Sequence, residues 1–275
     1  MNNTNYKYVI VIPTHTSYLD VCKVFIDLLK KNCSWISAPI ILSVVGDLSE
    51  NCKKIYGCDV LLNKQGSSLP NCVLNATKEY KADYYICMLG DAFFCKPVDE
   101  NIFIKFLNDL NKYQLEYCSL IPATQHSKIK RLNNTLRYIN KKDRYSFNFI
   151  AYAATANYIE EEFSGNITDL QFEEKYLTMC NNTLQDEYFK KSTIVIDNIF
   201  NIFPGIVKGK WDRRVYKLLR KNYKHLELSS RDRLSVFMML YISCADIFAK
   251  YIPVRLRKCI KQIANRIFGI DITNT

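Results

Sequence analysis

The sequence predicts an α/β fold: an open, mostly parallel sheet flanked by helices. Short apolar runs rich in β-branched residues recur between residues 8 and 122, each followed or preceded by a stretch with apolar residues at helical spacing. The runs stop at polar or small pairs, Thr14-His15, Gly46-Asp47 and Gly90-Asp91. Strands that are apolar throughout, alternating with helices, signal a sheet buried on both faces. In such sheets ligands bind at the carboxyl ends of the strands, so those three pairs form the rim of a site.

The elements follow in order. Tyr8–Pro13 (YVIVIP) is a buried strand ended by Pro and Thr. From Leu19 to Lys30, apolar residues at 21, 24, 25, 28 and 29 mark one helical face. Pro39–Val45 and Asp59–Asn63 are the second and third strands, and Ser68 to Lys81 is a helix opened by Pro70. Tyr84–Leu89 is the fourth strand, Asp99 caps a helix reaching Tyr113, and Tyr117–Pro122 is the fifth strand. Lys128 to Arg144 carries many charges and reads as a loop or short helix. Phe147–Ala154 is apolar, Asn157–Phe163 is helical, Ile167 to Thr178 includes an acidic pair, and Ile194–Ile199 is apolar again. A basic helical region opens near Gly209, a longer helix covers Ser229 to Ile252, and Pro253 starts another.

A hydrophobic share of 48% against 24% charged residues excludes a disordered chain. The net charge of +11 is confined to one end. Residues 208–266 carry sixteen Lys or Arg against four Asp or Glu, whereas residues 1–207 balance at 22 of each. That partition divides the chain into 1–207 and a basic segment 208–275, and points to one module meeting an anionic surface. The eleven cysteines are odd in number and irregular in spacing, with no CxxC pair. The opening MNNTNYKYVIVIPT lacks a signal peptide's basic start and long apolar run. Reduced core cysteines and a cytoplasmic chain are the expectation. No GxSxG, HExxH, P-loop or GxGxxG sequence occurs, which sets aside several enzyme classes.

Asp91 is the sharpest chemical signal. It stands just past a buried strand, after Gly90 and before Ala92-Phe93-Phe94. A hard carboxylate there suits Mg²⁺ or Mn²⁺ held against a diphosphate; a solvated turn Asp is the plain alternative.

The series VIPTH, SVVGD and PNCVLNATKEYKADYYICMLGDAFF resembles the GT-A-type glycosyltransferases of the large inverting family that builds bacterial polysaccharides. The resemblance spans roughly residues 6–115 and lies in the order and spacing of the motifs. It implies a nucleotide-binding sheet, a nucleotide-sugar donor and an acidic metal motif after the fourth strand. Pro13, Thr14 and His15 match the segment lining the base pocket, and Asp47 matches an acid near the base or ribose. Asn71 and Asn75 fall where polar contacts to the donor are made, and Asp91 matches an acid of the metal motif. The chain departs from the pattern in having one acid where two or three are usual, which makes weak or absent metal dependence an open alternative.

Inverting transfer also needs a carboxylate to take the proton from the acceptor hydroxyl. The family supplies it from an acidic pair near a helix start, and Glu173-Glu174 fits in position and type. A solvated helix face is the competing reading, with Glu160-Glu161-Glu162 and Asp169 as rival acids. Lys208, Lys210, Arg213 and Arg214 surround Trp211; they can close over the donor diphosphate or simply form the first turn of a basic surface helix. His126 and His225 have no second ligand nearby in sequence, so no zinc site is expected.

In the final stretch Val254, Ile260, Ile263 and Phe268 alternate with Arg255, Arg257, Lys258 and Lys261. This composition suits an interfacial helix on anionic lipid, with a helix packed on the first domain as the alternative. The expectation is a glycosyltransferase, peripheral on the inner face of the membrane, with a UDP-sugar donor and a lipid-linked saccharide acceptor for capsule or O-antigen synthesis, and no nucleic-acid partner. A nucleotidyltransferase on a similar sheet is the rival enzyme, and it predicts a Gly-rich phosphate loop where this chain has THTSYLD. A membrane-bound scaffold or degenerate donor-binding protein is the non-catalytic rival.

Overall fold

The computed structural model describes residues 5–49, 52–123, 130–143, 146–181 and 188–240. Strand β1 (Asn5–His15) leads through a 3₁₀ turn, Thr16–Tyr18, into α1 (Leu19–Asn32). Then come β2 (Ile40–Val45), β3 (Lys54–Ile55), β4 (Cys58–Leu62), α2 (Leu69–Glu79), β5 (Lys81–Met88) and the short β6 (Ala92–Phe94). Helix α3 (Glu100–Lys112) precedes β7 (Tyr117–Ser119), β8 (Leu136–Asn140) and β9 (Ala151–Ala154). Helices α4 (Ala156–Phe163) and α5 (Asp169–Asn181) precede β10 (Tyr188–Val195), β11 (Ile202–Pro204), β12 (Ile206–Val207), β13 (Lys210–Trp211) and α6 (Arg213–Asn222).

The predicted class is the observed one. A nine-stranded sheet runs in the order β3-β4-β2-β1-β5-β9-β7-β10-β8. Strands β4, β2, β1, β5, β7 and β10 share one direction, while β3, β9 and β8 oppose it. Side chains alternate between two cores, as the two-residue period of a strand requires. Ile10, Ile12, Ile86 and Met88 join α1, α3 and α6 on one face. Val9, Val11, Tyr85 and Cys87 join α2, α4 and α5 on the other.

Local chemistry sets the helix ends. The Ser68 hydroxyl accepts from the Asn71 amide at the start of α2, and Pro70 sits in the first turn, where its missing N–H costs nothing. Asp99 caps α3, as expected, by accepting from the Asn101 amide. Eight cysteines among the described residues are free thiols, seven of them buried.

Three segments differ from the sequence reading. The charged stretch 128–144, read as a loop or short helix, contains strand β8 in its described part, paired antiparallel with β10. Its charge is hidden because Arg137 is buried and donates to Asp143 at 2.6 Å. The basic region opens with a hairpin, β12–β13, before α6 begins. Residues 229–235, read as the start of a long helix, are not helical; helix begins at residue 236 among the described residues. There the Ser229 carbonyl accepts from the Trp211 indole at 3.1 Å and the Asp232 carbonyl from the Trp211 amide at 2.8 Å.

The chain divides into two compact units, Met1–Arg233 and Leu234–Thr275. Residues 208–233, which the charge partition groups with the basic end, lie in the first unit. The amphipathic segment after Pro253, the remainder of the Ser229–Ile252 helix and His126 lie outside the described residues. Among the described residues, no helix is long and apolar enough to cross a membrane.

Candidate functional site

The sheet order creates a crevice. From β1 the chain winds outward through β2 to β4, then returns through α2 to place β5 on the opposite side of β1. Strand order therefore reverses at the β1–β5 boundary, where an open α/β sheet offers a ligand crevice at its carboxyl ends. The β1–β5 register ends at Val11 and Cys87, whereas β1 continues to His15 beside β2. The two strand ends part there, with Thr14-His15 on one and Gly90-Asp91 beyond the other.

Cys22 of α1 sets the distance across this gap. Its thiol lies 3.2 Å from the Thr14 hydroxyl. A Cβ added at residue 90 would meet the same sulfur at 2.5 Å, so glycine is what lets the strand end approach α1 closely. Burial, opposed by the Thr14 hydroxyl and helped by the neighbouring Asp91 charge, pushes the Cys22 thiol up to about 12, so this cysteine is a packing residue and no nucleophile. Burial also pushes the Asp91 carboxyl up to about 6, against the lowering effect of its own backbone amide.

Pro13 and Thr14 are buried, and His15 is exposed at the rim. The His15 Nδ1 accepts from the Ser17 amide at 3.1 Å, so a neutral ring carries its proton on Nε2. Asp47 is exposed, two residues past the end of β2, which pairs His15 with Val45.

Asn71 and Asn75 open onto a separate polar pocket of about 640 Å³ beyond the end of β4. Asn75 donates to the Asn63 side-chain oxygen Oδ1 at 3.0 Å, and Asn71 donates to Oδ1 of Asn166. Asn63 is held in turn through Ser43 Oγ at 2.9 Å. These carboxamides line the pocket from β4, α2 and the loop before α5; the sequence reading missed Asn63 and Asn166, which are distant in sequence from the helix they join.

The acidic pair separates. Glu174 is exposed on α5, whereas Glu173 is partly buried. Burial raises the Glu173 carboxyl above its ordinary 4.5, partly offset by the Phe149 amide that donates to it. Phe149 precedes β9, and the Leu89 amide donates to the Ile150 carbonyl at 2.8 Å. Glu173 is thus linked through residues 149 and 150 to the strand end that carries Asp91. Of the rival acids, Glu162 pairs with Lys175 at 2.6 Å, and Asp169 lies close enough to Glu173 to raise its carboxyl further.

The basic residues reach the same rim by backbone links. The Gly205 amide donates to the Asp91 carbonyl at 2.8 Å, and the Gly205 carbonyl accepts from the Asp212 amide at 2.8 Å. This fixes β13 and the start of α6 beside Asp91. Lys210 and Arg213 line a pocket of about 510 Å³ there, and Trp211 is fully buried. Arg231, which no sequence signal singled out, donates to both Asp20 carboxylate oxygens at 2.9 Å and to the Ser17 carbonyl at 2.7 Å. It ties the end of the basic stretch to the β1–α1 turn. His225 lies apart, beside Lys23, Asp27 and Tyr223.

Among the described residues no three His, Cys, Asp or Glu side chains gather into a metal cage. Asp91 offers one hard oxygen. A single carboxylate suits a Mg²⁺ ion whose other ligands come from phosphate and water, and does not suit a cation held by the protein alone.

No protein-family model matches the chain, and no curated protein matches it. Solved structures with a similar arrangement include a cytidylyltransferase from Leptospira borgpetersenii, at 12% identity and a TM-score of 0.45, covering 82% of this chain and 98% of that one. S. aureus TarS aligns at 11% identity and a TM-score of 0.42, covering 98% of this chain and 44% of its own. An apo UDP-glucose pyrophosphorylase aligns at 11% identity and a TM-score of 0.41, covering 69% of this chain and 90% of its own. With every score this low, the functional reading rests on the chain's own residues.

Proposed function

We propose that the chain is an inverting glycosyltransferase that moves a sugar from a nucleoside diphosphate donor, of the UDP-sugar kind, to a saccharide hydroxyl. The observation that carries this reading is the linked rim: Asp91 and Glu173 are tied to one strand end through Leu89 and Ile150, with the Lys210–Arg213 segment hydrogen-bonded beside Asp91 through Gly205. Glu173 takes the proton from the acceptor hydroxyl as that oxygen attacks the anomeric carbon. The bond from the anomeric carbon to the diphosphate oxygen breaks, and the electron pair leaves with the nucleoside diphosphate. Lys210 and Arg213 offset the charge that grows on the leaving group. Asp91 is the residue that would hold a divalent cation against that diphosphate; such a cation supplies charge neutralisation when bound.

The exposed His15 and Asp47 at the ends of β1 and β2 are the proposed contacts to the base and ribose, with Pro13 and Thr14 forming the floor. Asn71 and Asn75, in their separate pocket, are proposed to hold a more distal part of the donor. The charge partition supports a lipid-linked acceptor at the anionic inner face of the membrane, hence surface-polysaccharide synthesis, with residues 208–266 supplying the basic surface.

A panel of nucleotide sugars, scored for donor hydrolysis with and without Mg²⁺, tests the reading. Hydrolysis of one donor, lost in Asp91→Ala, is the expected result. Release of pyrophosphate from a nucleoside triphosphate and a sugar phosphate, with no nucleotide sugar consumed, would transfer the assignment to nucleotidyl transfer.

A further inference from the structure

The pocket beside α6 has a chemistry of its own. Five cations line it, Lys210, Arg213, Arg220, Arg231 and Arg233, against the single acid Asp232. Among the described residues no carboxylate pairs with Lys210, Arg220 or Arg233. Within the pocket Arg231 is paired with Asp20, as Lys175 is with Glu162 and Lys191 with Glu116 elsewhere.

Contacts to one aromatic ring order Arg220 and Arg233 and leave their charge in place. The Arg220 and Arg233 guanidinium groups lie over the Tyr216 ring at 5.6 and 5.2 Å from its centre. Stacking on an aromatic face orients a guanidinium plane without neutralising it, and its N–H edge stays available to an oxyanion. Arg231 is fixed by Asp20 and lies over Tyr18 at 4.2 Å. The opposite wall is fixed through Trp211, whose amide and indole bond to the Asp232 and Ser229 carbonyls at 2.8 and 3.1 Å. Like charges held together in a concavity repel one another, and an entering anion relieves that repulsion.

We infer that this pocket binds a phosphoryl group, as a diphosphate or a phosphomonoester, through Arg220 and Arg233 with Lys210 and Arg213 beside them. Arginine forks match phosphate oxygens bidentately, and about 510 Å³ accommodates two phosphoryl groups. The ligand can be soluble or the phosphate end of a lipid. The inference shares Lys210 and Arg213 with the sugar-transfer reading but rests on Arg220 and Arg233, which that reading does not use.

The test is pyrophosphate binding to the full chain, followed by calorimetry at fixed ionic strength. Arg220→Gln with Arg233→Gln should weaken binding at least tenfold. Lys217→Gln with Lys221→Gln removes the same charge from exposed positions of α6 that do not line the pocket, and should weaken it less than threefold. Unfolding midpoints without ligand confirm that both double variants fold. Co-sedimentation with phosphatidylcholine vesicles, with and without phosphatidate, distinguishes the sources. Binding to phosphatidate that pyrophosphate displaces identifies a lipid phosphate; pyrophosphate binding without vesicle binding identifies a soluble one. Equal losses in the two double variants, or no pyrophosphate binding by the parent, would overturn the inference.

Discussion

The Phe93 and Trp211 rings stack with centroids 5.4 Å apart and planes 23° from parallel. Phe93 lies two residues after Asp91, and Trp211 lies between Lys210 and Asp212. One aromatic contact therefore couples the acid of the rim to the basic segment, and both rings are fully buried. Trp211→Ala should lower the unfolding free energy by about 3 to 5 kcal/mol, the usual cost of emptying a large aromatic site. Urea unfolding of the variant reads that loss. A change below about 1 kcal/mol would mean that the hydrogen bonds of Gly205 hold the segment without the ring.

Gly90 packs closely against Cys22 across the crevice. Gly90→Ala should destabilise by about 1 to 3 kcal/mol, because α1 and the strand end must move apart to admit a methyl group. Cys22→Ala removes the atom it would strike. The double variant should therefore recover part of the loss, with a coupling of at least about 1 kcal/mol in a double-mutant cycle. Strict additivity would show that residue 90 tolerates a side chain by turning away.

The two members of the acidic pair should behave differently. Glu173→Gln should reduce turnover by about 10²- to 10⁴-fold with donor affinity little changed, the signature of a proton acceptor. Glu174→Gln, at an exposed position, should stay near normal. A base must be deprotonated to act, so turnover should fall as pH drops through the raised Glu173 value, above 4.5. Stopped transfer assays from pH 4 to 8 test this, and an unchanged acid limb in Glu173→Gln would remove it from the role.

Asp91 should show activity and stability pulling apart. Its folded value of about 6 exceeds the ordinary 3.8, so the fold favours the protonated acid and loses stability as pH rises from 3.8 to about 6, the penalty being complete above that. Asp91→Asn keeps the shape without the charge. At pH 8 the variant should be at least as stable as the parent while losing transfer, whereas a structural carboxylate would give a less stable variant.

Much of this was legible in the sequence, for physical reasons that also explain what was not. Strands β1, β2 and β5 are buried on both faces, so their runs of Val and Ile announce them; Ser68 and Asp99 act through amides only two or three residues away. Strand β8 was hidden because Arg137 reads as a surface charge until Asp143 is found beside it. The β12–β13 hairpin turns at Lys208 and Gly209, with φ of 51° and 75°, and Lys-Gly is a weaker turn signal than Asn-Gly. At the site, position after a strand singled out Asp91. The contacts of Arg231 with Asp20 and of Glu173 with Phe149 join residues far apart in the chain, and no local pattern encodes them.

Asp212 carries the last prediction, because it starts the helix that walls the basic pocket. It is buried, accepts from the Arg214 and Val215 amides at 2.7 and 3.2 Å, and meets the Arg214 side chain at 3.0 Å. Burial raises its carboxyl, but the Arg214 side chain and the two amides outweigh this and leave it below its ordinary 3.8. A depressed folded value adds stability that is fully present above the unfolded value and is lost as pH falls through the folded one. Asp212→Ala should cost about 1 to 2 kcal/mol at pH 7, as expected for a lost N-cap. The gap between variant and parent should hold at pH 5 and narrow below 3.8 as the parent's own carboxylate is neutralised. Urea midpoints at pH 7, 5 and 3 measure it. A gap unchanged at pH 3 would assign the cost to packing, since only the charged cap titrates there.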